Sequence, residues 1–306
     1  IHNSADLAAA EVDVYLNGNL LLDDFAFRTA TPFIDIAAGL EHEIAIAPSA
    51  STSVNDAIAQ YMVSFDANET YVVVANGIVS STGYTPPVPF NLHVFAGARE
   101  NSSNMNTTDV LIFHGATDAP AVDIVETALN AGTLVDDLPY AVFADYLELV
   151  VNNYQVAIRP AGQPTTVASF GVPLQTLNLG GEALVVVASG FLSPANNSNG
   201  PAFGLWVALP TGGGLIPLPV TTSVESFNML SENVKVYPNP VTDFLTIETT
   251  EQNYSAYIVD MTGRTVKQMS FDGYNTIDVS QLSAGAYILN LVSGNGSHTE
   301  RIIINR

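Results

Sequence analysis

Cysteine is absent from all 306 residues, which excludes disulfides, thiolate metal sites and a cysteine nucleophile. Basic residues are scarce as well: eight Lys and Arg stand against 30 Asp and Glu, for a net charge of -22. Such a chain repels phosphate backbones and anionic lipid, so no nucleic-acid or membrane-surface role is expected, while cations and neutral ligands stay open. Charged residues of both signs make up only 12%, well below the usual share of about a quarter. The polar surface must then be built from Asn, Ser, Thr and Gly. No apolar run reaches the length of a spanning helix; the longest, such as Ala183–Ala188, are short and rich in Val, so membrane insertion is not expected. Neither a Gly-x-Ser-x-Gly nucleophile elbow nor a His-Glu-x-x-His zinc motif occurs. No signal peptide is visible, and Ile1 opens directly in strand-like sequence, which reads as a mature form whose leader has been removed.

What is present is strand sequence. Hydrophobic residues reach 47%. Val12, Val14 and Leu16 alternate with Asp13, Tyr15 and Asn17, the period of a half-buried strand. Ile44-Ala45-Ile46 and Val72-Val73-Val74 continue the β-branched pattern, and Asn17-Gly18, Asn76-Gly77, Gly180-Gly181 and Pro86-Pro87 punctuate it. One short helix is expected over Val54–Met62 with Ser53 as its cap.

The pattern occurs twice. Phe113-His114 echoes Ile1-His2, and Asp118 echoes Asp6, both at an offset of 112 residues. Val122-Asp123-Ile124 follows Val12-Asp13-Val14, Leu134 to Tyr140 follows Leu21 to Phe27, and Leu184 to Gly190 follows Tyr71 to Gly77. So long a period implies duplicated domains rather than a solenoid. The expected fold is all-β: three consecutive antiparallel β-sandwich, immunoglobulin-like domains, the first two an internal duplication. Their boundaries are 1–104 and 109–218 for the repeats, 219–233 for a linker and 234–306 for a C-terminal sandwich.

The last stretch carries the most specific signal. It opens with Tyr237-Pro238-Asn239-Pro240 after a strand from Val234, passes through Asp260-Met261-Thr262-Gly263, reaches Gly285-Ala286-Tyr287 and closes on a strand ending in Arg306. In order and spacing it resembles the type A C-terminal sorting domain of type IX secretion substrates of Bacteroidota. The resemblance implies recognition of residues 234–306 by an outer-membrane translocon and a shuttle protein, and arrival outside the cell or on the outer-membrane surface. The segments His2, Asp6, Val12-Asp13-Val14 and His114, Asp118, Val122-Asp123-Ile124 are similar to the secreted family called domain of unknown function 4397. That resemblance implies paired β-domains on the cell surface and supplies no catalytic residues.

Candidate chemistry is confined to acidic residues. His42 lies between Glu41 and Glu43, which a strand turns to the opposite face, so the trio cannot chelate together. Asp23-Asp24 and Asp136-Asp137 occupy equivalent places, while Asp13 and Asp123 stand inside strands, where Asp is depleted. The plain reading is that these carboxylates accept backbone N–H bonds at the corners of the fold. The sharper one is a hard-cation site, with calcium as its ion, using Asp23-Asp24 with Asp6 or Asp136-Asp137 with Asp118. No other cofactor is expected. The chain is read as a noncatalytic, exported protein whose repeats serve adhesion, through a surface protein or glycan, or act as an accessory of a surface apparatus. The alternative is a glycan-acting hydrolase using Asp/Glu pairs, or a calcium-dependent carbohydrate binder.

Overall fold

Alternating β-branched residues, broken by turns, fold almost entirely into strands. The computed structural model describes residues 1–129, 131–221, 234–249, 254–260, 265–271, 273–293 and 296–305. In the first half of the chain these are β1 (Glu11–Leu16), β2 (Asn19–Ala26), β3 (Thr29–Ala30), β4 (Glu41–Pro48), β5 (Ala59–Ser64), β6 (Tyr71–Asn76) and β7 (Asn91–Ala96). Next come β8 (Thr107–His114), β9 (Val122–Glu126), β10 (Gly132–Leu138), β11 (Phe143–Val150), β12 (Asn153–Pro160), β13 (Ala168–Pro173), β14 (Ala183–Ser189), β15 (Gly204–Ala208), β16 (Gly213–Gly214) and β17 (Ile216–Pro217). The last stretch holds β18 (Val234–Tyr237), β19 (Phe244–Thr249), β20 (Tyr254–Asp260), β21 (Thr265–Phe271), β22 (Asn275–Asp278), β23 (Gly285–Ser293) and β24 (Gly296–Ile304). The helix expected over Val54–Met62 is a single 3₁₀ turn, Val54–Asp56, after which the chain continues as β5. Ser53 does cap that turn, in a capping box with Asp56. Ladder pairing of Ala59–Ser64 with β4 outweighs the weak helical preference of these residues.

Two four-stranded sheets have matching orders, β2-β1-β4-β5 and β10-β9-β12-β13. Their registers match too: Val14 faces Ile46 and Ile124 faces Ile158. Between them lie β6-β7 and the five-stranded sheet β11-β8-β14-β15-β17. One pairing departs from the expected antiparallel pattern, because β14 runs parallel to β8 from Ala183↔Asp109 to Ala188↔His114. The chain leaves β8 through the neighbouring sheet before returning, which is the long crossover that a parallel pair needs. A shorter relation of the same kind links His2 to Ala75 in the first half.

Residues Ile1–Thr222 form one compact unit and Ser223–Arg306 another. The expected repeats 1–104 and 109–218 therefore share a body, and the packing explains how. Leu184, Val186 and Ala188 of β14 face a core with Ile124, Val156, Ile158 and Phe170. Val185 and Val187, on the opposite face, join Leu111, Phe113, Val72 and Val74 in a second core. A strand buried on both faces has no polar side, hence the unbroken apolar run. A third core, around Val12, Ile46 and Phe90, fills the first half. Hydrogen bonds add to the join: Asn76 donates to the Gly115 carbonyl and to Tyr140, and Ser198 to the Gly83 carbonyl. The second half reaches beyond 218, since Gly171 donates to Pro219 and Thr221 to Ser169. The rest of the expected linker lies outside the described residues.

In the other unit, sheets β18-β19-β22 and β21-β20-β23-β24 close on one core. Leu245 and Ile247, Ala256 and Ile258, Leu289 and Leu291, and Ile302 and Ile304 alternate into it. β18 begins at Val234, where the sequence places the first strand of this unit, and the closing strand β24 runs Gly296–Ile304.

Candidate functional site

A β-bulge brings the acidic residues together. Val12 pairs with Phe25 but Val14 with Leu22, so Asp23 and Asp24 oppose the single residue Asp13. In the second half Val122 pairs with Leu138 and Ile124 with Val135, which sets Asp136 and Asp137 against Asp123. The second residue of each pair takes a left-handed backbone, with φ of 49° at Asp24 and 50° at Asp137, a conformation that Asp tolerates better than most residues. This turns its N–H toward the strand: Asp24 donates to Asp13 Oδ1 at 3.0 Å and Asp137 to Asp123 Oδ1 at 2.9 Å. The second oxygen is engaged as well, at Asp13 by the Ser51 hydroxyl and at Asp123 by the Gly162 N–H at 3.1 Å.

Each triad, Asp13/Asp23/Asp24 and Asp123/Asp136/Asp137, can offer carboxylate oxygens within 4.8 Å of one another. The inner Asp is buried and the outer pair exposed. The Asp136 carboxyl is pushed up by the charges of Asp137 and Asp123, while the N–H of Asp137 is the main influence that holds Asp123 down. A divalent cation would relieve that repulsion, and among the described residues these six are grouped so that they could hold one. Calcium prefers six to eight oxygens, so water or a ligand hydroxyl would have to complete each shell.

Asp6 and Asp118 do not join these groups. Asp6 caps the 3₁₀ turn Leu7–Ala9 through the Ala8 N–H and accepts the Val79 and Ser80 N–H groups and the Ser80 hydroxyl at 2.7–2.8 Å. Asp118 accepts the N–H groups of Leu192 and Ser193 and the side-chain amide of Asn197. Carboxylates filled by donors tie the chain ahead of a sheet to the loop after β6 or β14. The partner of each Asp pair is instead the strand Asp, whose signal was the presence of a carboxylate where strands avoid one. Burial raises the Asp6 pKa, but bonds from Ala8, Ser80 and Tyr84 together outweigh it and leave it lowered. His2 and His114 are buried, and each ring nitrogen Nε2 meets a carbonyl, of Ala9 and Pro120 respectively. Desolvation pushes both downward, His2 to about 4. His42 is likewise a core residue, held by Asn17 and the Ala37 carbonyl.

In the terminal unit the Tyr-Pro-Asn-Pro motif is a clamp. The Asn239 side chain donates to the Arg301 carbonyl at 2.8 Å and accepts the Ile303 N–H at 3.0 Å. Val241 then continues the grip, donating to the Ile303 carbonyl and accepting the Asn305 N–H just past the end of β24. The peptide bonds preceding Pro238 and Pro240 are cis. Tyr237 is exposed, Tyr287 is buried with its hydroxyl on the Ser283 carbonyl, and Gly285 opens β23. Asp260 ends β20, where it pairs with Tyr287; Gly263 lies outside the described residues.

Comparison with known proteins matches two stretches of the chain. Residues 235–305 match the model of the secretion system C-terminal sorting domain. Residues 1–96 match the model of the domain of unknown function DUF4397. No curated protein matches the chain. The sorting-domain match supports export by type IX secretion, toward the cell surface or the extracellular space. Among the described residues, no helix is long and apolar enough to cross a membrane.

Proposed function

We propose that residues 1–222 are a noncatalytic surface or secreted cargo, delivered by type IX secretion through a signal in residues 234–306 that the translocon and its shuttle protein read. The observation that carries this reading is the sorting-domain match, which falls within a unit compact in its own right and distinct from residues 1–222. Asn239 supports a role for the motif in shape rather than chemistry: it fixes β24 through backbone bonds, so the signal presented is a folded surface. The cargo comprises two copies of one β-sandwich, as the matching sheet orders, bulges and acid triads favour. Its role is adhesion or service as an accessory of a surface apparatus, with a surface protein or glycan as partner.

A second reading, a calcium-dependent carbohydrate binder, rests on the two acid triads. Crosslinked affinity capture from the native envelope, with full-length protein and a form ending at Asn233, tests the first reading. Transport machinery captured only by the full-length form is the expected result. Capture of that machinery by both forms would remove the address from residues 234–306.

A further inference from the structure

Residues 1–222 hold three basic side chains, Arg28, Arg99 and Arg159. Arg99 bridges Asp109 and Glu148 at 2.7 Å. Arg159 faces Asp123 across the β9–β12 ladder, where its charge helps to hold that carboxyl down. Arg28 has no carboxylate partner among the described residues, and burial lowers its pKa to about 10 with no acid beside it to oppose the shift. A cation left unpaired in so acidic a chain loses solvation without gaining a counter-charge.

The guanidinium is held in one place all the same. It lies 4.0 Å from the Trp206 ring centroid and 4.6 Å from that of Phe27. Nε donates to Ser189 Oγ at 3.0 Å, and Nη2 donates to the carbonyls of Ala202 at 3.1 Å and Ser189 at 3.3 Å. Nη1 has no acceptor among the described residues and reaches solvent. Ser189, Gly204 and Trp206 share one face of the β14–β15 pair, because Gly204 lies opposite Ser189 and alternate residues point the same way. A Cβ at Gly204 would sit 3.0 Å from Trp206 Nε1, so glycine keeps the indole N–H clear. The second half shows that the fold needs no cation here. Ala141 takes the place of Arg28 with the same left-handed backbone, φ of 65° against 61°. There Asn76, the counterpart of Ser189, closes the corner by donating to the Tyr140 hydroxyl at 3.0 Å.

We propose that Arg28 and Trp206 form a subsite for a carboxylate-bearing sugar, a uronate within an otherwise neutral glycan. The carboxylate accepts from Arg28 Nη1, and the ring hydroxyls use the Trp206 N–H and the remaining lone pair of the exposed Ala202 carbonyl. A uronate carries a carboxylate and hydroxyls on one ring, whereas an acidic peptide side chain brings the carboxylate alone. Charge decides in the same direction. A net charge of -22 opposes polyanions, but repulsion of a single carboxylate is screened beyond about 8 Å at physiological salt, while the contact with Arg28 is not. This inference rests on the glycan partner of the proposed function.

Trp206 is the single tryptophan of the chain, so its fluorescence reports on this site in the full-length protein. Methyl glucuronide is titrated at millimolar concentration beside its methyl ester and methyl glucoside, which keep the ring and remove the charge. The expected result is a saturable change with the glucuronide, binding roughly tenfold tighter than either neutral sugar, and lost in Arg28→Gln. No response to the glucuronide, an equal response to its ester, or a response that survives Arg28→Gln overturns the subsite. Should Arg28→Gln fail to fold, the ester comparison on the unaltered chain decides alone. A triglutamate peptide that binds tighter than the glucuronide overturns the choice of a glycan. Failure of the titration leaves residues 234–306 as the address, which the affinity capture tests separately.

Discussion

Asp6 and Asp118 tie down the loops of two halves that use the same parts, yet the sheets they anchor differ. In the second half β8 runs the length of β14, and β11 is ordered against it. In the first half the matching edge of β6 bonds Ile1 and Asn3 through Val73 and Ala75, and Phe33–Ile36 forms no strand. The bulges, triads and buried histidines are common to both. Local hydrogen bonding thus fixes the corners of both halves in the same way although their inner sheets differ. The inner sheet depends instead on strands that meet both halves at once.

The largest test of this comparison is the core between the halves. Phe113 is fully buried there against Phe143 and His93. Phe113→Ala is expected to cost about 3–5 kcal/mol, and urea unfolding should show residues 1–222 melting in one shifted transition. A first-half transition left at its original midpoint would break the account of a shared core.

Next in size are the corner carboxylates. Asp6→Ala leaves the N–H groups of Ala8, Val79 and Ser80 without their acceptor at a site only 1% exposed, for a loss of about 2–3 kcal/mol. Asp118→Ala should cost less, since its site is more exposed and it has fewer donors. Denaturation midpoints of the two variants check the order.

A pH titration sharpens the comparison further. His2, His93 and His114 have folded-state pKa values lowered by burial, His2 to about 4. The unfolded chain, with histidine near 6.5, binds protons first as pH falls. Stability should therefore be full above about 6.5, decline toward pH 4 and level off for these groups below that. Asp6, whose folded pKa is depressed, adds a separate loss that begins near the ordinary carboxylate range and continues below it. Urea midpoints at pH 7.5, 5.5 and 4.5 follow the first window, and His2→Phe should flatten it.

The smallest expected effect is that of calcium. With Asp13 and Asp123 already holding N–H and hydroxyl donors, millimolar calcium after chelation should move Tm by less than about 2 °C. A larger rise, abolished by Asp23→Asn together with Asp136→Asn, would favour the calcium-dependent binder.

Much of this was legible in the sequence because period-two alternation sees single strands well. Val12–Leu16, Ile44–Ile46 and Val72–Val74 are read that way, and all three lie in strands. Pairing across a bulge is not. The sequence reading sets Asp23-Asp24 with Asp6, whereas one extra residue between the partners of Val12 and Val14 brings the pair against Asp13. The shared core was also hidden. Leu184 to Ala188 reads as a strand, but its lack of a polar face is what announces burial on both sides, against two different halves. The helix over Val54–Met62 failed because Ala and Gln in Ala59–Gln60 yield readily to a neighbouring strand edge.

On the proposed reading, residues 234–306 are the address and residues 1–222 the cargo. Fractionation of cells producing the full chain, a form ending at Asn233, and an Asn239→Ala variant tests it most directly. The account predicts full-length protein at the surface or in the medium and the truncated form retained inside the outer membrane, with the variant reduced between them. Surface arrival of the truncated form at the full-length level would contradict it.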